Sequence, residues 1–127
     1  MKEVNFDGSG SSLSVNIRYK SNHGGNLFAT YTYTLWEPNS GSIADKRTGN
    51  NFNNEDDNYW LPTPAEKNNG RVVDVLSIVK NAGAEALNAK VEIEVCQGGV
   101  SLEVISETES VMGDSTVTNQ IFIRLRA

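Results

Sequence analysis

Apolar and polar residues alternate with a period of two along most of this chain, and that pattern predicts strands rather than helices. Leu13, Val15, Ile17 and Tyr19 alternate with Ser14, Asn16, Arg18 and Lys20. Leu27, Ala29, Tyr31, Tyr33 and Leu35 fall on one face of a second run, and Phe28, Thr30, Thr32, Thr34 and Trp36 on the other. Between the two runs, Ser21-Asn22-His23-Gly24-Gly25-Asn26 is turn chemistry, so they read as a hairpin. Further on, Val72 to Val79 and Ala89 to Val95 read as two strands joined by a Gly-bearing turn over Asn81 to Asn88. In the second of them Ala89, Val91, Ile93 and Val95 alternate with Lys90, Glu92 and Glu94, as a strand with one wet face would. Gln97-Gly98-Gly99 turns the chain into Val100 to Val104. After a polar stretch from Ser106 to Ser115, a last strand over Val117 to Arg126 points Val117, Ile121, Ile123 and Leu125 inward.

Two segments compete with a purely regular reading. Ala82 to Lys90 holds four alanines, a leucine and a glutamate, so a short helical turn is the alternative there, opposed by Gly83 and by the alternation that starts at Ala89. Glu37 to Asn69 has no regular period and is rich in Asn, Asp, Gly, Pro and Ser. A bare loop of that length is rare in a compact domain, which predicts short strands near Ser42 to Asp45 and Tyr59 to Leu61, with Pro62 and Pro64 confining the latter to an edge or a loop. Six or seven strands separated by turn signals predict an all-β fold. The expected form is one antiparallel β-sandwich spanning residues 1–127, Ig-like or jelly-roll, with a long irregular loop insertion.

Composition narrows the setting. A chain of 127 residues buries a core without disulfides or a structural metal. Its single cysteine, Cys96, excludes an intrachain disulfide, and carboxylates nearby on the strand would raise its thiol pKa and quieten it. The net charge of −5 and scattered basic residues point away from nucleic acid and anionic membranes. Met1 to Asp7 contain no apolar signal-like stretch, and no apolar run approaches membrane-spanning length, so the expectation is a soluble chain, cytoplasmic or exported after processing.

Leu76 to Ile93 resembles the strand, N-x-G turn and strand of immunoglobulin-like bacterial surface and accessory modules, the CARDB type among them. The matching positions are Val79, Asn81, Gly83, Asn88, Val91 and Ile93. The resemblance implies an Ig-like sandwich and names no ligand. The residues themselves explain the turn: Asn81 can bond neighbouring backbone, Gly83 can take a left-handed conformation, and Leu87 can fold back onto the core to anchor the loop.

The strongest local anomaly is Asn50 to Trp60. Glu55, Asp56 and Asp57 offer the oxygen donors that calcium takes, although their spacing fits no EF-hand and the plain reading is a solvated loop. Asn53, Asp56, Asp57, Tyr59 and Trp60, together with Trp36, combine amides, carboxylates and amphipathic rings suited to a sugar face. The Thr30, Thr32, Thr34 row reads as ordinary β-propensity on a wet face. Catalytic signals are thin: His23 is the only histidine, no G-x-S-x-G elbow is present, and one His with one Cys is no zinc set. The leading expectation is therefore a non-catalytic binding module, with a glycan or a protein as partner and calcium as the candidate cofactor. A self-assembling structural protein is the alternative, and an enzyme of unknown class stands third.

Overall fold

The computed structural model describes residues 1–22, 26–53 and 57–127, and shows two β-sheets packed face to face. The first, sheet A, is built from β1 (Lys2–Asn5), β3 (Leu27–Trp36), β4 (Ile43–Asn50), β6 (Val72–Asn81) and β9 (Thr116–Arg126), in the order β1-β9-β6-β3-β4. The second, sheet B, comprises β2 (Leu13–Ser21), β5 (Asn58–Trp60), β7 (Leu87–Gln97) and β8 (Val100–Val111), in the order β5-β2-β7-β8. All pairings are antiparallel except β1 with β9. The molecule is an all-β sandwich, and no helix among the described residues is long and apolar enough to cross a membrane.

The alternation along each strand is satisfied by burial. Leu13, Val15 and Ile17 of β2, Val91, Ile93 and Val95 of β7, and Tyr31, Tyr33 and Leu35 of β3 meet Val73, Val75, Ile121, Ile123 and Leu125 in the main core. A smaller apolar cluster holds Leu27, Ala29, Val79, Leu87, Ala89 and Val111, and Tyr19 packs against both. Polar groups mark the boundary: the Tyr19 hydroxyl meets Ser77 Oγ at 2.7 Å, and Asn119, across the ladder from Ser77, donates to Glu107 and Glu109.

Periodicity predicts strands well but does not say which strands pair, and two expected hairpins are absent. The run over Leu13 to Lys20 lies in sheet B, paired with β5 and β7, whereas Leu27 to Trp36 lies in sheet A, paired with β4 and β6. In the same way β6 and β7 form an arch between the sheets rather than a hairpin. Both strands of each pair bury an apolar face, and opposite sheets place those faces against one another. True hairpins are β3–β4 and β7–β8, the latter turning through Gly98 and Gly99 at positive φ. Ser106 to Val111, expected outside regular structure, extends β8, while the irregular insertion contains β4, β5 and a 3-10 turn at Ala65–Asn68.

The arch after β6 is held by Asn81, which is fully buried. Its Nδ2 donates to the carbonyls of Glu85 and Val111 at 2.7 and 3.1 Å, and its Oδ1 accepts from the Gly83 amide at 2.9 Å. No helix forms there. Gly83 is not among the positive-φ glycines, contrary to the left-handed expectation. What it needs is space, because a Cβ would stand 2.8 Å from Asn26 Nδ2.

Candidate functional site

The outer face of sheet A can be assembled row by row from the strand registers. Thr30 and Thr32 point outward from β3 because Ala29, Tyr31 and Tyr33 point into the core. The β3–β4 hairpin sets Asn50 beside Thr30 and Thr48 beside Thr32, while β6 sets Ile78 and Leu76 on the other side. The result is a groove of about 420 Å³ along β3, lined by these six residues with Tyr31, Gly49 and Asn53. One wall is aliphatic, the other carries hydroxyls and amides, and none of the lining residues among those described is charged.

Asn51 fixes one end of this groove. Its amide N–H donates to the Ala29 carbonyl, its Oδ1 accepts from the Ala29 amide at 2.8 Å, and its Nδ2 donates to the Leu27 carbonyl at 3.0 Å. That clamp holds the chain beyond β4 against β3. It lets Phe52 meet Phe28, their rings 5.9 Å apart and tilted by 59°. Further down the same face, Trp36 Nε1 and Gln120 Nε2 donate to the two carboxylate oxygens of Asp74 at 3.0 and 2.9 Å. The threonine row is only partly wet, since Thr34 is buried.

Beneath the groove all four tyrosines of the chain form one contiguous group. The Tyr33 and Tyr59 rings stack at 5.3 Å, Tyr59 meets Tyr31 edge-on, and Tyr31 stacks on Tyr19 at 6.1 Å. Tyr31 donates its hydroxyl proton to Asp57 Oδ1 at 2.5 Å, so the hydrogen bond between the two phenols has Tyr59 as donor. Gly49 leaves room for this arrangement, because a Cβ there would collide with the Tyr31 phenol. Burial, reinforced by Asp57 and Tyr59, pushes the Tyr31 phenol far above its ordinary pKa, and burial does the same for Tyr19 and Tyr33. These three groups stay neutral through the physiological range.

The ligand set expected from sequence is dispersed by this fold. Asn53 lines the groove, and Trp36 stands on the same sheet face but bonded to Asp74. Tyr59 points into the tyrosine group, and Asp57 accepts from Tyr31. Trp60 lies on the outer face of sheet B, 60 % exposed beside Ser14, so it and Trp36 face opposite directions. His23, Glu55 and Asp56 lie outside the described residues. Among the described residues no group of three or more His, Cys, Asp or Glu side chains stands together as metal ligands. Sequence reasoning missed Phe28, Thr48, Asn51, Phe52, Leu76 and Ile78. The usable signal was Leu76 and Ile78, apolar residues at the positions of β6 where a one-sided strand should be polar.

The outer face of sheet B carries a charge network. Glu92 is buried among Arg18, Lys20 and Lys90, with nitrogen–oxygen distances of 3.4, 3.3 and 3.1 Å, and Arg18 also reaches Glu94 at 3.1 Å. Burial alone would raise the Glu92 pKa, yet hydrogen bonds from Lys90, Lys20 and Arg18 outweigh it and hold the carboxyl below its usual range. Ser101, Arg18 and Asn16 do the same for Glu94. Folded-state values below the unfolded ones mean stability that is present above the ordinary carboxylate pKa of about 4.3 and lost as pH falls through the folded values. Urea midpoints of wild type and Glu92→Gln are therefore expected to differ at pH 7, to draw together as pH falls below the ordinary carboxylate value of about 4.3, and to converge only below the lower folded-state value. A difference unchanged in acid would contradict this. Next to Glu94, burial and the carboxylate raise the Cys96 thiol pKa, so the cysteine is a quiet one.

No protein-family model, curated protein or solved structure matches this chain.

Proposed function

We propose that this protein is a non-catalytic binding module that holds a neutral glycan along the groove on the outer face of sheet A. The observation that carries the reading is the two-sided lining of that groove. Leu76 and Ile78 form an aliphatic wall, while Thr30, Thr32, Thr48, Asn50 and Asn53 present hydroxyls and amides. A sugar ring has the complementary character, with C–H groups on its faces and hydroxyls around its rim. The aliphatic wall takes the first and the polar wall the second. Phe28 and Phe52 close one end with exposed aromatic surface that suits a further ring. The absence of charge from the described lining residues favours neutral over acidic sugars, since a desolvated carboxylate or sulfate would find no cation among them.

The fold supplies what such a site requires. The groove stands on three paired strands over a packed core, so binding orders few side chains and costs little conformational entropy. A printed array of neutral and acidic oligosaccharides tests the reading. Signal concentrated on neutral structures is expected; signal on none of them, or on acidic structures alone, would overturn it.

A further inference from the structure

Each sheet ends in one short and one long edge strand. Sheet A ends in β1, four residues, and β4, eight residues; sheet B ends in β5, three residues, and β8, twelve residues. The short edges present few free backbone groups. The long ones leave one side of the backbone open to another strand, although on β4 the Lys46 N–H is held by Asp45 Oδ1 at 2.9 Å. They also lie on opposite sides of the sandwich, since Tyr59 of β5 packs beneath β3, near β4, and Lys2 of β1 reaches Glu103 of β8 at 3.1 Å.

Their charges are opposite. β8 carries Glu103, Glu107 and Glu109 and no basic residue. Glu107 and Glu109 accept from the Asn119 amide and pair with no cation among the described residues. β4 carries Lys46 and Arg47 with one acid, Asp45, which pairs with Arg47 at 3.5 Å. Lys46 makes no ion pair among the described residues, and both basic side chains are exposed. The two edges add apolar surface as well, with Ile43 exposed on β4 and Val100, Leu102 and Val104 exposed on β8.

We infer that β4 of one copy of this chain pairs with β8 of the next, so that the protein assembles head to tail. Charge decides between the available pairings. Two β8 strands meeting antiparallel about Ile105 would set Glu103 against Glu107 twice, and like charges directly opposite are destabilising. Joining β8 to β4 instead brings one of the two basic side chains, which point to opposite faces of β4, against the acidic row, and sets no acidic strand directly against another. Because the interface uses two different surfaces, each added copy leaves one free edge of each kind, which gives chains or closed rings rather than a dimer. The interface uses the free edge of β4 and the groove uses the outer face beside it, so although Thr48 and Asn50 belong to the same strand, the assembly does not depend on the glycan reading.

Sedimentation velocity over a range of protein concentrations tests the inference directly. Wild type is expected to sediment faster as concentration rises, with the effect weakening from low salt to about 1 M salt as the charges are screened. Two charge-reversed variants, Glu103→Lys with Glu107→Lys on β8 and Lys46→Glu with Arg47→Glu on β4, are each expected to remain single chains. A one-to-one mixture of the two is expected to regain assembly, because each supplies the edge the other has lost, a recovery that misfolded variants would not give. Wild type that stays a single chain at every concentration overturns the inference, whatever the variants do. So does assembly that persists in the β8 variant alone, which would point to β4 pairing with itself.

Discussion

Replacing Tyr31 with alanine is expected to lower the free energy of unfolding by about 3–5 kcal/mol, the range seen when a buried aromatic ring is cut to a methyl. The ring sits at the crossing of three contacts, stacked on Tyr19, edge-on to Tyr59 and filling the space that Gly49 leaves open. Its loss also strands the groups it bonds, Asp57 and the Tyr59 hydroxyl. Phenylalanine at the same position keeps the ring and removes only the hydroxyl, so a smaller cost of about 1–3 kcal/mol is expected, from leaving half-buried partners unsatisfied. Tyr33→Phe supplies the contrast. The Tyr33 hydroxyl is buried with no hydrogen-bond partner among the described residues, so deleting it should cost nothing or stabilise. Urea unfolding of the three variants measures this order directly. A Tyr33→Phe loss as large as that of Tyr31→Phe would show that the polar contacts around Asp57 contribute nothing beyond packing.

The second large effect is expected at Asn81→Ala, roughly 3 kcal/mol, because one substitution leaves the half-buried Gly83 N–H and the carbonyls of Glu85 and Val111 without this partner and empties a fully buried site. Asn81 ties the arch between β6 and β7 to the end of β8, so its removal frees two connections at once. Hydrogen exchange separates this from a uniform loss of stability: amides of Gly83 and Asp114, the latter bonded to the Gly83 carbonyl, should exchange faster than those of the main core. Aspartate is an informative partner variant. It keeps the acceptor for Gly83 but cannot donate to Glu85 and Val111, so it should recover only part of the loss.

Much of the fold is written in the period of the strands. β2, β3, β7 and β9 follow from alternation, and their inward faces are the ones the pattern marks; β6 follows from its run of β-branched residues instead, because Leu76 and Ile78 point outward and Ser77 inward. Pairing is less legible, because an arch and a hairpin share the same turn residues and differ only in the sheet that receives the second strand. β4 is legible only over Ser42 to Asp45, since Ala44 to Asn50 has no apolar alternation; as an edge strand it needs none. β8 was cut short for a related reason, its second half being Ser, Glu and Thr on an open edge. The groove was the least legible part. Its lining comes from three strands whose neighbours are set by register, and no local run of residues contains Thr32, Thr48 and Leu76 together. Among the described residues, the loop that looks most like a site lines it through Asn50 and Asn53 and closes its end with Asn51 and Phe52.

The central claim is that sheet A, rather than the tryptophan-bearing edge of sheet B, carries the binding surface. Amide chemical-shift mapping tests it most directly, using nitrogen-15-labelled protein titrated with the neutral oligosaccharides that give signal on the array. The account predicts shifts at Thr30, Thr32, Thr48, Asn50, Leu76 and Ile78, fading towards Trp60 and absent from the Arg18, Glu92 and Glu94 network. Shifts centred on Trp60, Asn58 and Asn16, with the Thr32 and Leu76 amides unmoved, would contradict it.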